Sequence, residues 1–239
     1  MATAPSPTER VRAALRADPR IAERARRVQV EEPDGALALT GSVTDVAQKR
    51  LAGVLAERAL GQPVANRIRV NGRPLRTDAE VERHARDALG QDPWLMGREV
   101  SLDVRVERGV VTVRGRVPSL LRRRLVEATL WWVPGVQDVV NAVRVEPPEE
   151  DAPEHLADAV KTVLEKDPLV DEQEVAVHVT APGVVTLTGL VDTPEERQAA
   201  ENDAWIVPGV VDVVNRLDIA RADQVVREYP PPGFLYHGG

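Results

Sequence analysis

The chain has 239 residues, no cysteine and a formal net charge of −7. The absence of cysteine excludes disulfides, thiol catalysis, thiolate metal sites and a cysteine-borne lipid anchor, and no apolar run approaches the ~18 residues of a membrane span. The N-terminal stretch MATAPSPTERVRAALRADPR contains no apolar signal core, so a cytoplasmic location is expected.

A period of 74 residues organises the rest. Gly35, Gly109 and Gly183 each open a strand-like run, and Gly41, Gly115 and Gly189 each close it. VPGVQDVVNAV from Val133 returns as VPGVVDVVNRL from Val207 in the same register. Each unit is near the lower size for independent folding, so the period marks three small domains. The boundaries read as 1–73, 74–147 and 148–221, with a tail over 222–239. Charge is graded along them: +5 over residues 1–73, +1 over 74–147 and −13 over 148–239.

Each unit reads as helix, strand, strand, helix, strand. In the first helix Val11 and Leu15, then Val81, Ala85 and Leu89, then Leu156, Val160 and Leu164 recur every four residues, on one helical face. The steps Asp18-Pro19, Asp92-Pro93 and Asp167-Pro168 end these helices, because proline disfavours helix in the residue before it. A hairpin follows. VQVEE, VSLDVRVE and VAVHVT alternate apolar and polar. They turn at Pro33-Asp34-Gly35, Arg108-Gly109 and Ala181-Pro182-Gly183, and return over 36–40, 110–114 and 184–188. Gly41, Gly115 and Gly189 are then expected to bend the chain toward a second helix capped by Thr44, Ser119 or Thr193, with Glu196 completing a capping box. The second helix ends near Gly61, Gly135 or Gly209, and the last strands are NRIRVN, DVVNAVRV and DVVNRLDI. NGRPLRT and the acidic, proline-rich EPPEEDAPE join the units, the latter as the more extended joint.

The hairpin exit and the VPGVxxVxN segment resemble the BON domain, a bacterial family named after osmotic-stress and nodulation proteins. Val111, Val113, Gly115 and Val117 with 133–136, Val139 and Asn141 carry the resemblance in unit two. Val185, Leu187, Gly189 and Val191 with 207–210, Val213 and Asn215 carry it in unit three. Unit one fits at Leu37, Leu39, Gly41 and Val43, but its ALGQPVAN segment lacks VPGV and is one residue shorter. The resemblance implies three tandem α/β (α+β) domains, each a three-stranded sheet with two helices and an αββαβ order. It also implies a non-catalytic role, with phospholipid or envelope association, stress-linked functions and, in one branch, potassium sensing.

The residues contain no catalytic constellation. His84, His155, His178 and His237 have no second histidine at ligand spacing, and no phosphate-binding or nucleophile motif occurs. Asp171, Glu172 and Glu174 read as a solvated run. Arg24, Arg26 and Arg27 lack the interleaved aromatics of a single-strand binder. No cofactor, metal or nucleic acid is expected.

Two features stand outside the repeat. In the second helix the core face is Ala52/Val126/Ala200, Ala56/Leu130/Ala204 and Ala59/Val133/Val207. Unit two carries a second apolar stripe, Leu121, Leu125, Ala128 and Trp132, where unit three has Glu195, Ala199, Asn202 and Ile206. Arg122, Arg123, Arg124 and Trp131 flank it. A helix apolar on two faces needs a second partner: another domain of the chain, another protein, or an anionic phospholipid surface. The tail, with Tyr229, Pro230, Pro231, Pro232, Phe234, Leu235 and Tyr236, reads as a pre-extended docking peptide. The sequence thus points to a binding scaffold contacting a membrane or protein partner. Its alternatives are head-to-tail self-assembly and small-ion sensing, for which no ligand residues stand out.

Overall fold

The computed structural model describes residues 5–32, 37–71 and 76–220. The tail residues 229–236 and the turn at Pro33-Asp34-Gly35 lie outside them. The first unit contains α1 (Pro7–Ala17), β1 (Val28–Glu31), β2 (Ala38–Val43), α2 (Val46–Leu60) and a last strand in two pieces, β3 (Ala65–Asn66) and β4 (Arg69–Val70). The second contains α3 (Asp78–Gln91), β5 (Ser101–Glu107), β6 (Val110–Val117), α4 (Leu120–Trp132) and β7 (Asp138–Val145). The third contains α5 (Pro153–Lys166), β8 (Val175–Thr180), β9 (Val184–Val191), α6 (Pro194–Ile206) and β10 (Asp212–Ile219). Three tandem α+β units are therefore present in the expected order.

In each unit the first two strands pair antiparallel and the third lies parallel to the second, reached through the second helix. The periodic apolar residues of α1, α3 and α5 are all buried, as are the paired core positions of the second helices apart from the half-buried Ala59. Helices cover one face of each sheet, and the strands alternate buried and exposed accordingly. The Asp-Pro steps end the first helices at Ala17, Gln91 and Lys166.

Three local expectations are corrected. The return strands do not end at the glycines but run through them to Val43, Val117 and Val191. A Cβ on Gly41, Gly115 or Gly189 would stand 2.0, 1.8 or 1.9 Å from the carbonyl oxygen of Arg27, Ser101 or Glu174. Glycine is needed for this close backbone approach and for its positive φ, not for a bend. The cap of α2 is Asp45, whose carboxylate accepts from Gln48 N, while the Thr44 hydroxyl turns to the Gln48 side chain. Thr193 does cap α6, but Glu196 accepts instead from the N–H groups of Asp171 and Asp192, both at 2.9 Å. Closed capping boxes occur at Ser6/Glu9 and Thr77/Glu80.

The units close on one another. Lys49 meets Asp138 at 3.1 Å and Arg50 meets Glu127 at 2.7 Å, joining units one and two. Val70 N donates to Gln137 O across the same boundary at 2.9 Å. Arg50 also donates to Ile206 O at 2.9 Å, and Arg20 meets Asp212 at 2.7 Å, joining one and three. The acidic joint between two and three is not an extended spacer. Glu149 accepts from Leu120 N at the start of α4, and Asp151 takes Arg124 with two contacts of 2.7 and 2.6 Å.

Candidate functional site

The apolar stripe of α4 is covered from within the chain. Leu125, Ala128 and Trp131 are buried, Leu121 and Trp132 half-buried, and α5, α6 and the 3-10 turn Pro93–Leu95 pack against the helix. The three arginines diverge. Arg124 is 6% exposed and donates to Pro208 O at 3.0 Å as well as to Asp151. Arg122 donates to Trp94 O at 2.8 Å, and Arg123 is exposed. Lipid reaching this helix would therefore meet Arg122 and Arg123, not the stripe.

The exposed chemistry lies at one end of the second unit. β5 begins at Ser101, which pairs with Arg116 near the end of β6; Arg116 in turn pairs with Arg144 near the end of β7. Arg114, Arg116 and Arg144 line a concavity of about 490 Å³ on the open sheet face, with Glu146 as its one acidic wall residue. None of the three arginines makes an ion pair among the described residues. Arg116 and Arg144 thus stand side by side on neighbouring strands, which concentrates positive charge at this end of the sheet. The chain enters β5 from the turn at Pro93–Leu95, where Trp94 and Met96 are 40% and 55% exposed, beside Arg98 and the Arg122 anchored on Trp94.

A second feature lies where the three units meet. A cleft of about 280 Å³ is walled by Asp45, Val46 and Ala47 at the start of α2, by Trp131 and Trp132 of α4, and by Asp167, Leu169, Asn202, Asp203 and Ile206 of unit three. Asp203 is 3% exposed, and its Oδ2 has no hydrogen-bond partner among the described residues. Burial, then the neighbouring Asp167 carboxylate, push its pKa up to about 8, while a hydrogen bond from Trp132 acts the other way. Asp203 escaped sequence reasoning, although a signal existed. It stands with Ala200, Ala204 and Val207 on the inward face of α6, where a carboxyl group is out of place. Across Trp132, Lys166 lies 5.3 Å from the ring centroid and binds Asp92 and Thr129. Among the described residues no group of three or more His, Cys, Asp or Glu is arranged to hold a metal, and no helix is long and apolar enough to cross a membrane.

Comparison with known proteins bears on the repeat. The BON domain model matches three times, over residues 7–72, 77–147 and 153–221. No curated protein matches the sequence. Two solved structures of CdsD, a structural protein of the type III secretion system of Chlamydia trachomatis, are similar. The first, of its C-terminal domain, has 13% identity and a TM-score of 0.26, covering 92% of this chain and 100% of that one. The second has 15% identity and a TM-score of 0.27, covering 92% and 97%. Superposition at this level carries no argument about function.

Proposed function

Because the chain belongs to the BON domain family through three tandem copies, we propose that it is a non-catalytic binding scaffold that docks the basic end of its second domain on an anionic phospholipid surface. The observation that carries this reading is the exposure of Trp94 and Met96 beside Arg98 and Arg122, at the end of the sheet where Arg114, Arg116 and Arg144 stand without acidic partners. Interfacial tryptophan with flanking arginine is the composition that anionic headgroups select. The third domain does not repeat it: Leu190 and Asp218 are the cross-strand pair in place of Arg116 and Arg144.

Flotation of the full chain with phosphatidylglycerol-containing vesicles, against pure phosphatidylcholine, tests the proposal. Binding to the anionic vesicles alone is expected. Each basic residue near such a surface contributes about 1 kcal/mol, so the double variant Arg116→Glu/Arg144→Glu lowers partitioning by about tenfold or more. Trp94→Ser lowers it further. Equal flotation with both vesicles, none with either, or binding unchanged by the charge reversal sinks the idea.

A second reading is head-to-tail self-association. Leu190, which is 41% exposed, and Asp218 on the third domain's open face, with Glu174 just before β8, complement the arginines of the second domain. Light scattering across salt concentration distinguishes it: assemblies that dissolve as screening rises favour this reading.

A further inference from the structure

The second and third domains contain the same pocket, filled in one and open in the other. In the second domain Asp92, which follows α3, accepts from Thr129 Oγ1 at 2.9 Å. The ammonium group of Lys166, from the neighbouring domain, binds both of them and lies over Trp132. One repeat later Asp167 stands in place of Asp92, and Asp203 in place of Thr129. Asp203 hydrogen-bonds Asp167 as Thr129 does Asp92. No cation among the described residues pairs with either carboxyl group. In its place is the junction cleft, lined by Trp132, Leu169 and Asp203, whose Oδ2 is buried without a hydrogen-bond partner among the described residues.

We propose that this cleft binds a primary alkylammonium group, supplied either by a free diamine or polyamine or by a lysine side chain of another polypeptide. The molecule itself gives the precedent, since Lys166 fills the equivalent position one repeat earlier. An aromatic wall and a carboxylate pair together attract an ammonium. The cleft's volume suits an alkyl chain rather than a bare ion, and its apolar residues Val46, Leu169 and Ile206 offer that chain contact.

The charge logic is set by the groups facing Asp203. Asp167 follows α5, Asp45 caps α2 and Trp132 belongs to α4, while Lys166 lies over the Trp132 ring and is held by Asp92 and Thr129. Burial, then the Asp167 carboxylate beside it, push the Asp203 pKa up to about 8, which favours its protonated form at neutral pH. An ammonium entering the cleft replaces that proton, so one cation enters as up to one proton leaves. Affinity therefore rises with pH up to about 8, where Asp203 ionises unaided.

Isothermal titration of the full chain tests this with two probes, 1,5-diaminopentane and an acetylated, amidated Gly-Lys-Gly peptide. Repeating the titration in buffers of different ionisation enthalpy reads the proton released. Saturable 1:1 binding is expected, tightening by up to about tenfold per pH unit below pH 8. Tighter binding of the diamine identifies a free amine as the ligand class, and tighter binding of the peptide identifies a presented lysine. Asp203→Asn weakens either by about tenfold or more. Leu169→Lys, at a position that is 67% exposed, places an ammonium in the cleft without touching the core. It is expected to raise Tm and suppress binding even if Asp203→Asn folds poorly. The proposal fails if the wild type binds neither probe, if both variants bind unchanged, or if potassium chloride at equal ionic strength displaces the probe as well as a second amine does.

Discussion

Among the described carboxyl groups Asp203 is the one whose pKa is raised, so its protonation differs between the folded and unfolded states. Its pKa is pushed up to about 8 by burial and by Asp167. Between about pH 4 and 8 the folded chain keeps a proton that the unfolded chain has released. Stability therefore falls with rising pH across that window, by at most about 1.4 kcal/mol per unit, and levels off above it. Asp203→Thr installs the hydroxyl that Thr129 uses one repeat earlier and removes the titration. Urea denaturation at pH 4.5 and at pH 8 should show the variant near wild type at the lower value and more stable by a few kcal/mol at the upper. A gap that does not widen with pH would contradict the assignment. The residue scale also shows how a position is legible while its role is not. Gly41, Gly115 and Gly189 stand out through the period alone. That each meets a carbonyl at or just before the start of the first strand, about 2 Å from its absent Cβ, depends on strand pairing, which residue spacing does not encode.

The elements are held together by a device that recurs in all three domains. The amides of Asn66, Asn141 and Asn215 donate from Nδ2 to the second-helix carbonyls of Lys49, Arg123 and Arg197 at 2.7, 2.9 and 3.0 Å. Their Oδ1 atoms accept from the N–H two residues on, in Ile68, Val143 and Leu217. One side chain thus pins the last strand to the helix packed on it. Asn141→Ala deletes both bonds and leaves the Arg123 carbonyl without this donor, at a cost of about 1–3 kcal/mol. The effect should appear as a lower urea midpoint with an unchanged m-value; a variant as stable as the wild type would show that water replaces the amide freely. The asparagine was visible in the VPGVxxVxN motif, and its recurrence at Asn66 persists although the first domain lacks VPGV. Its helical partner was not visible, because only the folded crossover brings it near. Local devices read better: the boxes at Ser6/Glu9 and Thr77/Glu80 span three residues. Glu196 has the same spacing, but a nearby loop offers it the Asp171 amide and diverts it. The stripe on α4 was likewise legible as apolar. Its cover by α5 and α6 was one of several partners compatible with the pattern.

At the scale of the molecule the charge gradient is used inside the chain. The basic first domain sends Arg20, Lys49 and Arg50 to Asp212, Asp138 and Glu127 of the other two. Burial pulls the Lys49 pKa below the ordinary lysine range, and Asp138 offsets part of that shift. Domains of roughly 70 residues bury too little surface to be strongly stable alone, so their mutual docking should make the three unfold together. Arg124 is the buried contact between the second and third domains, bridging Asp151 and the Pro208 carbonyl. Asp151 is 58% exposed and regains water if the guanidinium is removed; the Pro208 carbonyl and the space left beside α4 are not so readily compensated. Arg124→Ala should therefore weaken this joint by about 1–3 kcal/mol without touching the core of either domain. In differential scanning calorimetry the wild type is expected to give one transition. The variant is expected to give two, the lower belonging to the third domain, which hydrogen exchange would locate in α5 and α6. Independent melting of the domains in the wild type, or a single unaltered transition in the variant, would show that the arginine does not couple them. A rigid arrangement also bears on docking: if the basic end of the second domain meets a membrane, the junction cleft is carried at a fixed position relative to it. Loosening the Arg124 joint should then leave vesicle binding intact, because Arg124 does not line the basic concavity.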